Sequence, residues 1–210
     1  MKSLKIPEAT IMRLSVYSRY LYQLEKNGVT TVSSGGIAEG VSGSPAQVRK
    51  DLAYFGEFGT RGVGYNVREL NQQIIKILGL ENKWNVVIVG AGNLGSALGQ
   101  YKGFQERGFK ILAVFDNDLN KIGLKIGGIS IYPISQLNDF VQQNNVQIGI
   151  VAVPAAYAQE VVDILVKAGV RGVLNFAPRV VTVPDDVEVR NVDLAVNLEL
   201  LTYNMVVNNR

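Results

Sequence analysis

The sequence contains no cysteine. Disulfides, thiolate nucleophiles and cysteine-ligated metals are therefore excluded, and the composition fits a reducing compartment. It contains no histidine either. Histidine is the most frequent general acid or base and a common metal ligand. A histidine-dependent dehydrogenase and a histidine-ligated metal site are excluded with it, and no metal is expected. No apolar run is long enough to span a bilayer. The opening segment MKSLKIPEATIMRL has no apolar stretch leading to a small-residue cleavage site. A soluble, cytoplasmic protein with no membrane partner is the expectation.

What is present is an apolar chain of 210 residues, 47% hydrophobic, with room for one large domain or two small ones. The net charge is only +3, but residues 1–84 carry a balance of +4 and residues 85–210 a balance of −1. A basic first part and a near-neutral second part suggest two domains with different partners, the first able to face nucleic acid. An ordinary surface fluctuation gives the same numbers, so charge alone does not choose.

The most informative stretch is Trp84 to Leu98, WNVVIVGAGNLGSAL. An apolar strand, Val86 to Val89, runs into Gly90, Ala91, Gly92, Asn93, Leu94 and Gly95, and a helix follows. This order suits a dinucleotide-binding turn. Gly90 permits the tight turn, Gly92 lets a pyrophosphate approach the backbone, and Gly95 lets helix and strand pack closely. The first N–H groups of the helix face the phosphates. A second strand, Lys110 to Phe115, ends in Asp116, 21 residues after Gly95. An acid there meets a ribose 2′-hydroxyl and favours NAD over NADP. The rest alternates strands with helices: Ile129 to Tyr132, Ser135 to Gln143, Val146 to Val153, Ala155 to Ala168, Gly172 to Asn175 and Val187 to Val189. This predicts a parallel sheet with right-handed crossovers. Ligands sit at the carboxyl ends of such strands, which makes Val153, Pro154, Asn175, Phe176, Ala177 and Pro178 candidates for the nicotinamide half. Strand-ending loops, with Asn175 capping locally, are the plainer reading.

Upstream, periodicity predicts a helix over Glu8 to Lys26, a short helix around Ile37 to Glu39, and a third from Ser44 to about Phe55. Ser44 caps the third, Pro45 takes its first position, and Gln47 completes a capping box. Val48, Leu52 and Phe55 form its apolar back. Gln47, Arg49 and Lys50 lie off that face, as in the recognition helix of a helix-turn-helix. Arginine or lysine pairs with guanine and glutamine with adenine. Gly56 to Tyr65 reads as a short β-hairpin with Arg61 near its tip, which makes the whole a winged helix-turn-helix. Asn66 caps a further helix, Val67 to about Leu78, and Gly79 to Lys83 is a linker. A terminal helix, Asp193 to about Met205, carries an apolar stripe of Leu194, Leu198, Leu201 and Met205. Packing on its own chain is its simplest reading.

The run Ala46-Gln47-Val48-Arg49-Lys50-Asp51-Leu52, then Tyr54-Phe55-Gly56, Gly59-Thr60-Arg61-Gly62-Val63-Gly64-Tyr65 and Gly90 to Leu98, closely resembles the Rex family of bacterial redox-sensing transcriptional repressors. The resemblance runs from Pro7 to the C-terminal helix. It implies an α/β chain with a winged helix-turn-helix over 1–83, a Rossmann-like NAD(H)-binding domain over 84–191, and a C-terminal dimerisation helix over 192–210. In that family this helix is exchanged between subunits of a homodimer. The implied partner is a double-stranded inverted-repeat operator, and NADH and NAD+ act as regulatory ligands rather than catalytic cofactors. Ser44, Gln47, Arg49, Lys50 and Arg61 would serve DNA. Gly90 to Gly95 would hold the pyrophosphate and Asp116 the adenosine ribose. Arg19, Tyr101 and Asp193 match positions of a state-dependent network; their plain readings are a surface arginine, a packed tyrosine and an N-cap.

Two alternatives compete. An NAD-dependent oxidoreductase of the short-chain type needs Tyr-x-x-x-Lys, and Tyr22 with Lys26 has that spacing, but the pair precedes the nucleotide motif. A nucleotide- or CoA-binding subunit of an acyl-CoA ligase explains the second half and leaves the wing without a purpose. Only the repressor uses every segment.

Overall fold

The computed structural model describes residues 6–208. Residues 1–5 and 209–210, which form the ends of the first and last expected segments, lie outside it. The chain divides into two compact units, Met1–Asn82 and Lys83–Arg210.

The first unit begins with helix α1, Glu8–Lys26. Its inward face is Leu14, Tyr17 and Leu21, all buried, at the i, i+3, i+7 spacing of one helical stripe. Strand β1, Thr31–Val32, leads to α2, Ser34–Gly40, and α3, Pro45–Ala53. The entry chemistry of both helices is as their sequences dictate: Ser33 Oγ accepts from Gly36 N–H and Ser44 Oγ from Gln47 N–H. Strand β2, Tyr65–Asn66, runs into α4, Val67–Ile77, capped by Asn66. Leu14, Leu21, Ile37, Val48, Leu52, Val67, Leu70 and Ile74 share one core.

The expected wing hairpin is not a regular ladder. A single bridge, Thr60 to Gly64, closes a turn with Arg61 at its tip. Strand β2 pairs antiparallel with β1, a strand that the sequence analysis did not anticipate, rather than with the first half of the wing. The reason lies in the glycines. Gly59, Gly62 and Gly64 all adopt positive φ, and they offer no side chains for cross-strand pairs.

The second unit is a seven-stranded sheet in the order β5-β6-β4-β3-β7-β8-β9, parallel throughout except for the β5–β6 pair. Its strands are β3, Trp84–Val89; β4, Phe109–Asp116; β5, Lys125–Ile126; β6, Ile129–Pro133; β7, Ile148–Val151; β8, Gly172–Asn175; and β9, Glu188–Asn191. Between them run α5, Asn93–Gly99; α6, Lys102–Glu106; α7, Leu137–Gln143; and α8, Ala158–Ala168, and after them comes α9, Leu194–Asn208. Both faces of β3 are covered, with Val86 and Ile88 in one core and Val87 and Val89 in the other. That explains its unbroken apolar run. β7 is shorter than expected because Pro154 has no N–H to continue the ladder, and Val146 closes the preceding turn by bonding back to Val141.

α9 departs from the simplest expectation. It does not pack on its own chain: Leu198, Tyr203 and Met205 are about two-thirds exposed, at 65%, 65% and 64%. Apolar residues occupy every side of it, so no single stripe could have been buried by one neighbouring surface. Among the described residues, no helix is long and apolar enough to cross a membrane.

Candidate functional site

In the second unit the strand order reverses between β4 and β7, on either side of β3, and the glycine turn sits at that point. Gly90 adopts φ +106°, and a side chain there would strike the Ala152 carbonyl. A side chain at Gly95 would strike the Gly90 carbonyl. Both are structural necessities of bringing helix and strand together. Gly92 differs: a Cβ there meets nothing within 4 Å. Gly92, Asn93 and Leu94 are exposed while Ala91 and Gly95 are buried, so the turn presents one open, side-chain-poor edge. The first intrahelical bond comes from Ser96 N–H to the Gly92 carbonyl, at 2.9 Å. The N–H groups before it have no helical acceptor.

Asp116 ends β4 directly against this turn. Its Oδ2 accepts the Ala91 N–H at 2.7 Å and its Oδ1 accepts the Asp118 N–H at 2.9 Å. The Lys121 ammonium lies 3.5 Å from both Asp116 and Asp118. Burial pushes the Asp116 carboxyl up, but these donors outweigh it and hold it below its ordinary value. It is thus an ionised acceptor that braces the turn, with lone pairs left for hydroxyl donors. Asp118 and Lys121 were missed by sequence reasoning; the spacing Asp-x-Asp-x-x-Lys was the available signal.

At the ends of β7 and β8, Asn175 is fully buried and its side chain is committed. Its amide donates to the Arg179 carbonyl at 2.8 Å and to Asn191 Oδ1 at 2.9 Å, and its carbonyl oxygen accepts from Ala177 N–H at 3.0 Å. It folds the Phe176 to Arg179 loop back over the sheet rather than pointing into solvent. Ala177 is buried with it, Val153 and Phe176 are half-buried, and Pro154 and Pro178 are exposed.

In the first unit a cleft of about 590 Å³ opens between α3 and the wing, lined by Ser33, Ser34, Arg49, Thr60, Arg61 and Tyr65 among others. It brings Arg49 and Arg61 to one place. Arg49 donates to Ser34 Oγ at 2.8 Å. Lys50 is exposed on α3, and Ser44 is spent on capping. Gln47 does not complete the expected capping box. Its amide donates forward to Asp51 at 2.8 Å, because a fully buried carboxylate one turn away is the stronger acceptor. The bidentate pairing with adenine expected of Gln47 requires that bond to be given up.

Asp51 is a further residue whose role the sequence did not reveal. It reads as one polar position in a helix, yet it accepts from Thr10, twice from Arg13, from Tyr17 and from Gln47, at 2.6–3.1 Å. It locks α3 onto α1. Burial pushes its carboxyl up, but these four partners prevail and bring it down to about 2. The Tyr17 hydroxyl is pushed up to about 12, by burial first and then by its bond to Asp51. Because the folded-state value of Asp51 lies below its ordinary 3.8, its contribution is complete above about pH 4 and is lost as the pH falls through 2. Roughly 2 kcal/mol of stability goes with it. Amide exchange in α1 and α3 is expected to accelerate over that window, and Asp51→Asn should abolish this acid dependence.

The three expected network residues behave plainly within their own units. Arg19 is exposed on α1. Tyr101 is exposed and packs edge-on against Phe104 at 5.1 Å. Asp193 Oδ1 accepts the Ala195 N–H at 2.9 Å, capping α9. Tyr22 and Lys26 form an exposed cation–π pair on α1, 4.9 Å apart, in the unit that does not hold the glycine turn. Among the described residues, no group of three or more acidic side chains could hold a metal.

Comparison with known proteins resolves what this pair of sites belongs to. Residues 5–53 match a family model described as a putative DNA-binding protein N-terminus, and residues 81–179 match a CoA-binding domain. The redox-sensing transcriptional repressor Rex of Carboxydothermus hydrogenoformans is 68% identical over 98% of this chain and 99% of its own. The chain belongs to the Rex family. The Rex of Streptomyces coelicolor is 47% identical over 97% of this chain and 79% of its own. The crystal structure of the Rex-family repressor RSP in complex with β-NAD+ and operator DNA has a TM-score of 0.92 at 40% identity, covering 97% of this chain and 94% of RSP. RSP is also known in complex with β-NADH. The chain is accordingly a redox-sensing transcriptional repressor and not an enzyme, which sets aside the oxidoreductase. The CoA-binding model matches only part of the second unit, whereas the Rex relatives span nearly the whole chain, so the ligase-subunit alternative is set aside too.

Proposed function

We propose that the chain is a cytoplasmic homodimer that holds an inverted-repeat operator through its first unit and releases it when NADH occupies its second. The observation that carries this reading is one chain with two arginines on a cleft beside a capped recognition helix and, further along, an open glycine turn braced by an ionised carboxylate. RSP, its structural relative, is known with NADH, with NAD+ and with operator DNA.

In this reading residues 1–83 bind DNA, residues 84–191 bind NAD(H) and residues 192–210 form the dimer. Lys50 reads base edges from the exposed face of α3. Arg49, preset by Ser34, and Arg61 grip the backbone from the α3–wing cleft, with Ser44 and Gln47 setting the helix N-terminus. Gly90 to Gly95 receive the pyrophosphate on the open edge at Gly92. Asp116 takes the adenosine ribose hydroxyls while bracing the turn. Val153, Pro154 and Phe176 to Pro178 enclose the nicotinamide, on a loop whose shape Asn175 maintains. The apolar surface of α9 is covered by a second copy, since a helix apolar on every side is stable in water only when buried. Two copies place their recognition helices about 34 Å apart, in successive major grooves. Arg19, Tyr101 and Asp193 change partners between dimer arrangements. If NADH prefers the arrangement that does not fit the operator, it weakens DNA binding by the factor by which DNA weakens NADH binding. NAD+, lacking that preference, only competes for the site.

The test is a titration of an inverted-repeat duplex at fixed salt, alone and with NADH or NAD+. NADH should weaken binding and NAD+ should reverse its effect. Arg49→Ala and Arg61→Ala should each weaken operator affinity by about tenfold or more while NADH still binds. Equal affinity in the wild type and both variants would sink the DNA assignment.

A further inference from the structure

The glycine turn holds parts that are the same in NADH and NAD+, so it cannot distinguish them. The two forms differ at the nicotinamide ring, which is cationic in NAD+ and neutral in NADH. In the nucleotide reading above, the sheet sets where that ring would lie. The turn lies at the point where strand order reverses, and Asp116 at the end of β4 draws the adenosine half to one side. The nicotinamide half is left over the ends of β7 and β8, where the chain continues as residues 152–157 and 176–183. Those fourteen positions carry a single charged side chain, Arg179.

Arg179 is anchored from both loops. Its carbonyl accepts from the buried Asn175 amide at 2.8 Å, and its N–H donates to the Ala177 carbonyl at 2.7 Å. Its guanidinium donates to the Ala155 carbonyl, next to Pro154, at 3.4 Å. Gln159 of α8, just beyond the first segment, and Thr182 of the second are joined by paired bonds of 2.9 and 2.8 Å. Among the described residues, its guanidinium forms no ion pair with a carboxylate. It thus links the two loops as an exposed positive charge, beside the segments that would receive the ring.

We propose that Arg179 is a redox-selectivity residue: its charge disfavours the cationic nicotinamide of NAD+ relative to the neutral ring of NADH. The proposal rests on the nucleotide reading above. The side chain is exposed, so solvent screens the repulsion, and an effect on the order of five-fold in relative affinity is expected. An arginine that instead gripped the phosphates would strengthen both forms alike and leave the ratio unchanged.

The test uses the full-length chain, with NADH, NAD+ and ADP-ribose titrated into wild type, Arg179→Met and Arg179→Lys. Arg179→Met should bind NAD+ about five-fold more tightly, with NADH and ADP-ribose little changed. Arg179→Lys should keep the wild-type ratio, and added salt should narrow the gap between the two dinucleotides in the wild type. A parallel change for NADH and NAD+, an equal change for ADP-ribose, or no change at all in Arg179→Met overturns the role of Arg179 and leaves the nucleotide reading standing. Failure of the wild type to bind either dinucleotide overturns both.

Discussion

Asp51→Ala is expected to destabilise the first unit by about 3 kcal/mol or more. The loss does not come from the carboxylate alone. Tyr17 and Thr10 are 2% and 1% exposed, so their hydroxyls are left with no water to replace the acceptor they lose. Arg13, whose side chain is 36% exposed, recovers hydration, and this keeps the cost below that of a fully sealed ion pair. For a unit of this size the change corresponds to a fall in melting temperature of about 10–20 °C. Thermal melting of the full-length chain, with amide exchange read separately in α1 and α3, is the measurement. α3 should also lose its seating on α1, so operator binding should weaken even though Asp51 itself is fully buried. An unchanged melting temperature and unchanged exchange in α1 would show that the network is decorative.

The second large effect concerns Gly92. Gly92→Trp is expected to reduce NADH affinity by more than about 100-fold, the equivalent of about 3 kcal/mol, while the fold and the operator affinity without NADH survive. The contrast with its neighbours makes this specific. Side chains at Gly90 and Gly95 would collide with the backbone carbonyls of Ala152 and Gly90, so substitution there damages the unit itself. At Gly92 there is open space and an ordinary φ of −76°, so the indole can be accommodated and occupies the volume left for the pyrophosphate. The variant should bind operator and be deaf to NADH. A Gly92→Trp protein that still releases DNA in response to NADH would place the pyrophosphate elsewhere.

These two residues differ in how far the sequence announced them. Gly92 belongs to a short motif in which every residue type answers to a local need: a turn, a close approach, a helix start. Local needs leave a local trace, and the glycine turn, the Ser44 cap and the extent of α1 were all legible for that reason. Asp51 left none. Its importance comes from Thr10, Arg13 and Tyr17, more than thirty residues away, and no spacing in the sequence brings them together. The same holds for Gln47, whose amide turned to Asp51 rather than back to its cap, and for Asn175, whose loop-end position says nothing of the bonds that bury it.

The sequence by itself determined the longer helices and the main strands of the second unit, the two-part division, the glycine turn with its acid and the basic front of α3. Helical and strand periodicity and turn chemistry are properties of neighbouring residues, and they can be read along the chain. Only the tertiary structure decided that the wing is a glycine turn held by one bridge, with β2 paired to β1. It also decided that Arg49 and Arg61 share a cleft, that a buried carboxylate clamps α3, and that α9 leaves its apolar surface uncovered. Each of these depends on which distant surfaces meet, and burial, hydrogen-bond competition and exposure exist only once they have met.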